Sequence, residues 1–399
     1  MSDQPPGAIE AIRQASGRPG RFAAWLVLVL ALSGPCLSSF QNAVVAPLAS
    51  SIAARFGGGN HGALIAQLAM VVPAAGVFVG GPLTSWLIGR FGYRPVIIGN
   101  ALMLAAAGTA GAWVDGMIPF LGTRVIVGLS AVALYSALVA LTGLLFHGVT
   151  LARMVSYQSG LAALLGMTLT LVSGPIASHF GWRASFFIYL ATALYALIAA
   201  LAWLPPAAGK KAKGEGGGSL RPLMPTVLMS VAAFTAIYLV TVQGSLLMSA
   251  NGIGDPAVQS VVIALSALSN AVTATACSWI ETHLLKRMLF PAALALLGAG
   301  AEVMGAIPAL WGAVLGSLVI GAGSGLTVAW LIRLIVERAP PGARERAAGL
   351  IAPSFYVAQF ANPVVMHPLH IAFGIQTAFI LVGGLLLGGA ALAAARIRR

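Results

Sequence analysis

Arg124 and Glu302 are ionisable residues that lie well inside long apolar stretches of the sequence. If such a stretch spans a bilayer, a charged side chain within it costs at least ~2.5–3.5 kcal/mol and needs a cavity, a partner or water. Arg124 is predicted to face a cavity, where it would attract an anionic group or tune a protonatable neighbour. The alternative is a structural hydrogen bond to backbone carbonyls of a neighbouring helix. Glu302 either takes up a proton or reaches the outer interface.

The sequence lacks the motifs that enzymes and ATP-driven pumps need. It contains no G-x-x-x-x-G-K-[S/T] phosphate loop, no H-E-x-x-H metal motif and no G-x-S-x-G nucleophile motif. His367 and His370 are spaced for one metal ion but lack the third and fourth ligands of a zinc site. We therefore expect no enzymatic activity, no bound metal and no cofactor.

The elements that carry these residues are predicted to be transmembrane helices. Of the 399 residues, 59% are apolar and 8% are charged, against about 45–50% and 25% in soluble domains. Charge-free stretches such as Phe22 to Ala54 exceed the ~20 residues that a helix needs to cross a bilayer. Division at Pro, Gly and charged residues predicts twelve helices, at 22–46, 62–88, 95–114, 117–146, 153–178, 184–204, 223–248, 257–280, 289–307, 309–335, 347–367 and 373–395.

Basic residues predict the orientation of these helices. The net charge is +13, but the Lys and Arg residues are scattered singly, which argues against a nucleic-acid partner. Under the twelve-helix division almost all of them fall on the side of the two termini, whereas Arg55 and Arg183 fall on the other side. The positive-inside rule therefore predicts cytoplasmic termini in a plasma membrane, with the bacterial inner membrane expected.

A Gly-rich polar segment at 205–222 divides the helices into two sets of six. The ungapped shift that aligns Arg94 with Arg287 also aligns Pro175 with Pro368, which indicates a parallel internal repeat. The predicted divisions are a cytoplasmic N-terminus at 1–21, a six-helix half at 22–204, a cytoplasmic linker at 205–222, a second half at 223–395 and a cytoplasmic C-terminus at 396–399.

The turn after predicted helix 2 carries a motif. Residues 81–94 read GPLTSWLIGRFGYR, which resembles the loop 2–3 signature of the major facilitator superfamily, G-x-x-x-D-R-x-G-R-R after a G-P-L-like stretch. The matching residues are Gly81, Pro82, Leu83, Arg90, Gly92 and Arg94. Ser85, Gly89 and Tyr93 depart from it. Gly89 replaces an Asp that helps to latch the two halves on the cytoplasmic side in that family, so the latch is expected to be weaker or differently built.

Other stretches resemble the same family. They are Arg124-x-x-x-Gly128, residues 180–187 (FGWRASFF) and residues 342–350 (GARERAAGL). Gly166, Gly174 and Pro175 resemble part of the family's antiporter motif, G-x-x-x-G-P-x-x-G-G, although Thr170 and Ser178 stand where glycines are expected. This partial motif favours export.

The resemblance implies an all-α membrane protein of twelve transmembrane helices, in two pseudo-symmetric halves of six that rock around a central cavity. Helices 1, 4, 7 and 10 would line the cavity, and helices 2, 5, 8 and 11 would complete its walls. Polar stripes on these helices predict a mildly polar, aromatic-lined site, although each stripe alone is more typical of hydrogen bonding between helices. The candidate substrate-binding residues are Ser38, Gln41, Asn42, Arg124, Tyr135, Tyr238, Thr241, Asn270, Gln359 and Asn362.

Proton coupling and gating have their own candidate residues. The coupling candidates are Glu302, Arg124 and His179. The gating motif comprises Gly81, Pro82, Arg90, Gly92, Arg94, Gly174 and Pro175.

Three functions fit these observations. The first is proton-coupled efflux of a small amphipathic compound by alternating access. The second is proton-coupled uptake of an organic anion bound through Arg124, and the third is a receptor or scaffold without transport. We expect a monomer in the lipid bilayer, with a small-molecule substrate and protons as partners.

Overall fold

The computed structural model describes residues 21–202, 204, 223–283, 286–339, 347 and 350–398. Every regular element within these ranges is a helix. Most of the predicted N-terminal segment and the whole linker at 205–222 lie outside the described residues.

A helix or an interrupted helical run occupies each of the twelve predicted spans. The first six are α1 (Arg21–Ser33, Cys36–Ser39, Ala46–Leu48 and Ala49–Arg55), α2 (Gly59–Val71, Val72–Ala74 and Ala75–Phe91), α3 (Tyr93–Ala110), α4 (Met117–Leu145), α5 (Gly148–Phe180) and α6 (Trp182–Thr192 and Ala193–Leu201). The others are α7 (Met224–Tyr238, Leu239–Gln243 and Gly244–Ala250), α8 (Pro256–His283), α9 (Leu289–Ala306), α10 (Leu310–Glu337), α11 (Ile351–Phe373) and α12 (Ile375–Arg398). Among the described residues, nine helical runs are long and apolar enough to cross a membrane.

α1 is broken, whereas the sequence predicts one continuous helix at 22–46. The first segment ends before Gly34 and Pro35, because proline has no N–H to donate and its ring clashes with the preceding turn. Residues 40–45 form a second, non-helical turn, after which the chain is helical again as far as Arg55.

α7 contains a π-helical segment, Leu239–Gln243, that the prediction of a regular helix at 223–248 does not include. A π turn holds one residue more than an α turn, so it rotates every following side chain relative to those before it.

Several helices extend beyond their predicted ends, and two of these differences bear on candidate residues or prolines. α8 runs to His283 rather than to 280, so Glu281 lies inside a helix. α11 spans Ile351–Phe373, and Pro363 and Pro368 lie inside it without ending it, as is tolerated in transmembrane helices.

The connection between α2 and α3 is one residue long. Gly92 has a φ of 83°, which a residue without a Cβ adopts at no steric cost, and its N–H donates to the carbonyl of Ile88 at 2.8 Å. The glycine of the predicted motif therefore makes the sharp turn between two spans.

The chain forms two compact units. Of the described residues, the first contains 21–44, 72–169, 183–202 and 204, and in it α3 packs between α4 and α6. The second contains 45–71, 170–182 and the described residues of 223–398, and in it α9 packs between α10 and α12, while α7 packs on α11. The second unit therefore includes the end of α1, the start of α2 and the end of α5.

Candidate functional site

Three amide side chains form a directional hydrogen-bond chain inside the second unit. Gln67 Nε2 donates to Gln243 Oε1 at 3.0 Å, and Gln243 Nε2 donates to Asn362 Oδ1 at 2.9 Å. Asn362 Nδ2 then donates to the backbone carbonyl of Thr235 at 3.0 Å. All three amides are buried, and Gln67 Oε1 has no hydrogen-bond partner. The hydrogen-bond chain therefore starts at Gln67, whose Oε1 is an open acceptor: a buried oxygen that accepts no hydrogen bond.

The π segment of α7 explains why Gln243 takes part. Thr235 and Gln243 are eight residues apart, and eight residues of regular α-helix would leave them about 80° apart around the axis. The extra residue of the π turn removes most of that angle, so both residues reach Asn362. Sequence analysis assumed a regular helix, named Thr241 among the α7 candidates and missed Gln243.

α11 makes a second polar contact with α2. Gln359, one turn before Asn362, donates from Nε2 to the backbone carbonyl of Met70 at 2.7 Å. The structure thus brings the predicted residues Gln359 and Asn362 together with Gln67, which sequence analysis also missed. Gln67 had a signal: it is an amide in the otherwise apolar stretch 63–75.

The α1 candidates lie at its second break. Ser38 Oγ donates to the backbone carbonyl of Pro35 at 2.6 Å, within its own turn. The Gln41 side chain is buried, and its Nε2 has no hydrogen-bond partner. Asn42, the next residue, is half-buried. The remaining candidates on α4, α7 and α8 are also half-buried: Tyr135, Tyr238, Thr241 and Asn270.

Arg124 lies inside the first unit with no exposed surface. Its Nη1 donates to Tyr189 Oη at 3.2 Å, and its Nη2 donates to the backbone carbonyls of Gly108 at 3.1 Å and Ala107 at 3.4 Å. Both carbonyls are in the last turn of α3, where a helix leaves carbonyls without intrahelical partners and where a positive charge is favourable. This is the arrangement of the alternative prediction, hydrogen bonds to a neighbouring helix.

Aromatic rings enclose the same guanidinium. Its central carbon lies 4.9 Å from the ring centroid of Phe186, 5.4 Å from that of Tyr189 and 5.6 Å from that of Phe120. Such cation–π contacts are each worth roughly 0.5–2 kcal/mol, more where water is absent. The pocket therefore satisfies the charge without a ligand.

Glu302 packs against α12. A Cβ atom added to Gly383 would lie 2.9 Å from Glu302 Cγ, and one added to Gly384 would lie 3.4 Å from Glu302 Oε1. The two glycines therefore make room for this side chain between α9 and α12.

A second carboxylate, near the end of α8 and four residues beyond the candidate membrane span Pro256–Cys277, is ion-paired. Glu281 of α8 accepts from Arg333 of α10, and only 10% of the Glu281 side chain is exposed. Sequence analysis missed Glu281 because it ended helix 8 one residue earlier.

The end of α5 is joined to the start of α8. Asp255 accepts from Ser178 Oγ and from the backbone N–H of Ala257 at 3.0 Å, so it also caps the N-terminus of α8. These hydrogen bonds, and then the nearby His179, lower the pKa of the Asp255 carboxyl below its usual value. His179, a predicted coupling residue, is exposed beside this contact. We call the Ser178–Asp255–Ala257 contact the α5–α8 clasp.

The end of α1 is joined to α7 and α8 in a similar way. The Ser50 backbone N–H donates to Ser245 Oγ at 3.1 Å, and the hydroxyls of Ser50 and Ser245 both donate to Gln259 Oε1. Gln259 Nε2 donates to the carbonyl of Ile253 at 2.7 Å. Neutral hydrogen bonds thus hold this part of the second unit together.

The predicted gating residues divide between two places. Gly81 and Pro82 lie within α2, and Arg90 and Arg94 are exposed on either side of the Gly92 turn. Gly174 is buried against α8, where an added Cβ would collide with the carbonyl of Pro256 and the hydroxyl of Ser260. The next residue, Pro175, is exposed within α5.

Solved transporters share this fold. A bacterial homologue of the human lysosomal transporter Spinster matches with a TM-score of 0.73 and 15% identity, over 94% of this chain and 97% of that chain. A D-xylose–proton symporter matches with a TM-score of 0.73 and 14% identity, over 92% and 97%. A POT family transporter in complex with a thioalcohol-conjugated peptide matches with a TM-score of 0.70 and 12% identity, over 98% and 99%. A comparison with curated proteins found no match.

The family model of the Major Facilitator Superfamily matches residues 31–363. This match covers most of the chain and agrees with the full-length likeness to solved transporters, so it confirms the family and the twelve-helix fold that the motifs predict. The chain belongs to the Major Facilitator Superfamily and is a multi-pass secondary transporter of the membrane, not an enzyme.

Proposed function

We propose that the protein exports a small, neutral, amphipathic organic compound in exchange for protons, and that the amides of α2, α7 and α11 form the polar part of its binding site. The observation that carries this proposal is the open acceptor at Gln67 Oε1. A buried acceptor without a donor costs roughly 1–3 kcal/mol, which an N–H or O–H group of the compound would remove.

Apolar rings beside the amides support an amphipathic compound. Phe234 of α7 stacks on Phe355 of α11, with ring centroids 3.9 Å apart and planes 7° apart. Tyr238 packs against the same cluster. Since Thr235 and Gln359 belong to the same stretches of the two helices, the surface combines hydrogen-bonding groups with aromatic carbon.

The surroundings of Arg124 favour a neutral compound over an organic anion. Uptake of an anion through Arg124 requires guanidinium N–H groups that can reach a ligand. In the structure these groups are directed at Tyr189 and at the last turn of α3, and the side chain is fully buried. Binding an anion there would first break contacts that already satisfy the charge.

For proton coupling we propose Glu281 in addition to Glu302. Protonation of Glu281 would neutralise its charge and release Arg333, so it would change the contact between α8 and α10. Glu302 stays a coupling candidate against the glycines of α12.

The proposed direction rests on Gly174 and Pro175 of the partial antiporter motif and on the close contact of α5 with α8 that Gly174 permits. An exporter must release its cargo on the side away from the cytoplasm, and we propose that the contacts of Ser50 and Ser178 close that side in this conformation.

The test is flux in proteoliposomes with a panel of neutral, anionic and cationic aromatic compounds, under pH gradients of both signs. We expect transport of neutral hydrogen-bond donors, driven outward by an acidic exterior. Gln67→Leu should weaken transport of these compounds about tenfold. Thr84→Val is the control: it removes another buried polar group of α2, one that donates to Gly80 within its own helix, and should leave transport unchanged. Selective transport of anions, or equal flux in Gln67→Leu and wild type, would contradict the proposal.

A second measurement isolates coupling. Glu281→Gln should retain substrate counterflow, which needs no proton, and lose acceleration by the pH gradient. Asp115→Asn, which removes a carboxylate from an exposed ion pair with Arg183 in the other unit, is the matched control. Gradient-driven flux that survives in Glu281→Gln would leave Glu302 as the coupling candidate.

A further inference from the structure

The second break in α1 combines an anchored backbone with an unsatisfied side chain. Ser39 Oγ donates to the backbone carbonyl of Ala162 on α5 at 3.1 Å. The carbonyl of Phe40 accepts from Tyr189 Oη of α6 at 2.7 Å. Gln41 follows directly, is only 2% exposed, and its Nε2 has no partner. Two neighbouring helices thus hold the turn, and the amide beside it has unused donors.

The Tyr189 hydroxyl is fixed by Arg124. It accepts from Arg124 Nη1 while it donates to the Phe40 carbonyl, so its single proton is directed at the α1 break. Arg124 is in turn held by the last turn of α3 and by the rings of Phe120 and Phe186. A rigid relay therefore runs from the end of α3, through Arg124 and Tyr189, to the residue before Gln41.

We infer that the break in α1 is a binding site for a hydrogen-bond acceptor oxygen, with Gln41 Nε2 as the donor and with Arg124 and Tyr189 as positioning residues. This inference rests on the proposed transport of a neutral compound and adds its chemical class: a carbonyl, ether or hydroxyl oxygen on an apolar skeleton. Broken transmembrane helices are tolerated where their backbone lies within protein or lines a cavity, and they often carry ligand sites.

The relay also gives the buried charge a role other than direct binding. Arg124 does not contact the ligand, and a neutral acceptor is recognised by a neutral amide. Loss of the Tyr189 hydroxyl would release the Phe40 carbonyl and leave Gln41 on a less fixed turn. Loss of the Tyr189 hydroxyl should therefore weaken the hydrogen bond between Gln41 and the ligand but not the apolar contacts of the ligand.

The experiment compares benzophenone with diphenylmethane, which has the same two rings but no oxygen. Binding to the full chain in lipid nanodiscs is measured by equilibrium dialysis, with empty nanodiscs subtracted. Wild type should bind benzophenone more tightly. Gln41→Leu and the closer-shaped Gln41→Met should weaken benzophenone binding about fivefold and leave diphenylmethane binding unchanged. Tyr189→Phe should act in the same direction.

Ser130→Ala is the matched control, because it removes a buried hydroxyl of α4 that bonds only within its own helix. Equal binding of the two compounds by wild type, or full benzophenone binding in both Gln41 variants, would overturn the site. A Tyr189→Phe variant that loses both compounds equally would overturn the positioning role. Absence of flux in proteoliposomes would contradict the proposed transport alone, since dialysis needs no transport.

Discussion

Arg124 lies in a membrane-spanning helix, and the protein itself supplies hydrogen-bond acceptors and aromatic rings to its charge. Its partners come from α3, from α6 and from its own helix α4, and the α6 partners are more than sixty residues away in the sequence. The sequence draws attention to Arg124 because the residues around it in α4 are uncharged and mostly apolar. It does not identify Tyr189 or the carbonyls of α3, because backbone acceptors have no residue signature.

We expect Arg124→Met to lower the free energy of unfolding by roughly 1–3 kcal/mol, because the α3 carbonyls and the Tyr189 hydroxyl lose their donor. Arg124→Lys should lose less, since an ammonium keeps the charge but not the planar fork. Thermal unfolding in detergent measures both. Arg183→Met, which breaks an exposed ion pair with Asp115, should change the free energy of unfolding less. An Arg124→Met variant as stable as wild type would contradict this account of the hydrogen bonds.

The α5–α8 clasp predicts a pH dependence. Hydrogen bonds from Ser178 and Ala257 lower the pKa of the Asp255 carboxyl, so they stabilise its ionised form. The clasp should therefore contribute stability above pH ~4, where the unfolded carboxyl is ionised, and lose it as the pH falls through the lowered pKa. Hydrogen exchange at the Ala257 amide, corrected for intrinsic rates, should stay protected from pH 8 to pH 5. Asp255→Asn should exchange faster throughout; equal protection would contradict the clasp.

At the scale of elements, the apolar runs predict all twelve helices because ~20 residues without charge favour little else in a bilayer. The interruptions within the helices are harder to predict from the sequence. Gly34 and Pro35 carry a signal for the first break in α1, but the π segment at Leu239–Gln243 has none, since no residue type requires it. That segment decides which α7 side chains reach α11, so the contribution of Gln243 to the amide site could not be predicted.

Close packing of α5 on α8 gives a prediction for these elements. Gly174→Ala places a methyl group against Pro256 and Ser260, so the helices must separate, at about 1–3 kcal/mol. Gly160→Ala, also in α5, meets no atom within 4 Å and should be neutral or slightly stabilising. Thermal unfolding compares the two. If helix separation also loosens the clasp, Ala257 exchange should rise in Gly174→Ala alone; identical behaviour of both variants would refute close packing here.

At the scale of the whole molecule, the distribution of basic residues predicts the orientation. Single cysteines introduced into 205–222 should react with membrane-impermeant reagents only from the cytoplasm, and those in 56–61 or 250–256 only from outside. Cys36 and Cys277 are buried and can be replaced beforehand. Labelling of 205–222 from outside would overturn the predicted orientation.

The Arg124 pocket also constrains how the chain is made. Synthesis proceeds from the N-terminus, so α4 emerges with its guanidinium before Phe186 and Tyr189 exist. Until α6 is complete, the described partners of Arg124 that are already synthesised are the α3 carbonyls, the Thr123 hydroxyl and Phe120. Stable membrane integration of α4 should therefore depend on the later synthesis of α6. A ribosome that stalls between the two helices would leave the Arg124 guanidinium at the translocon without its α6 partners.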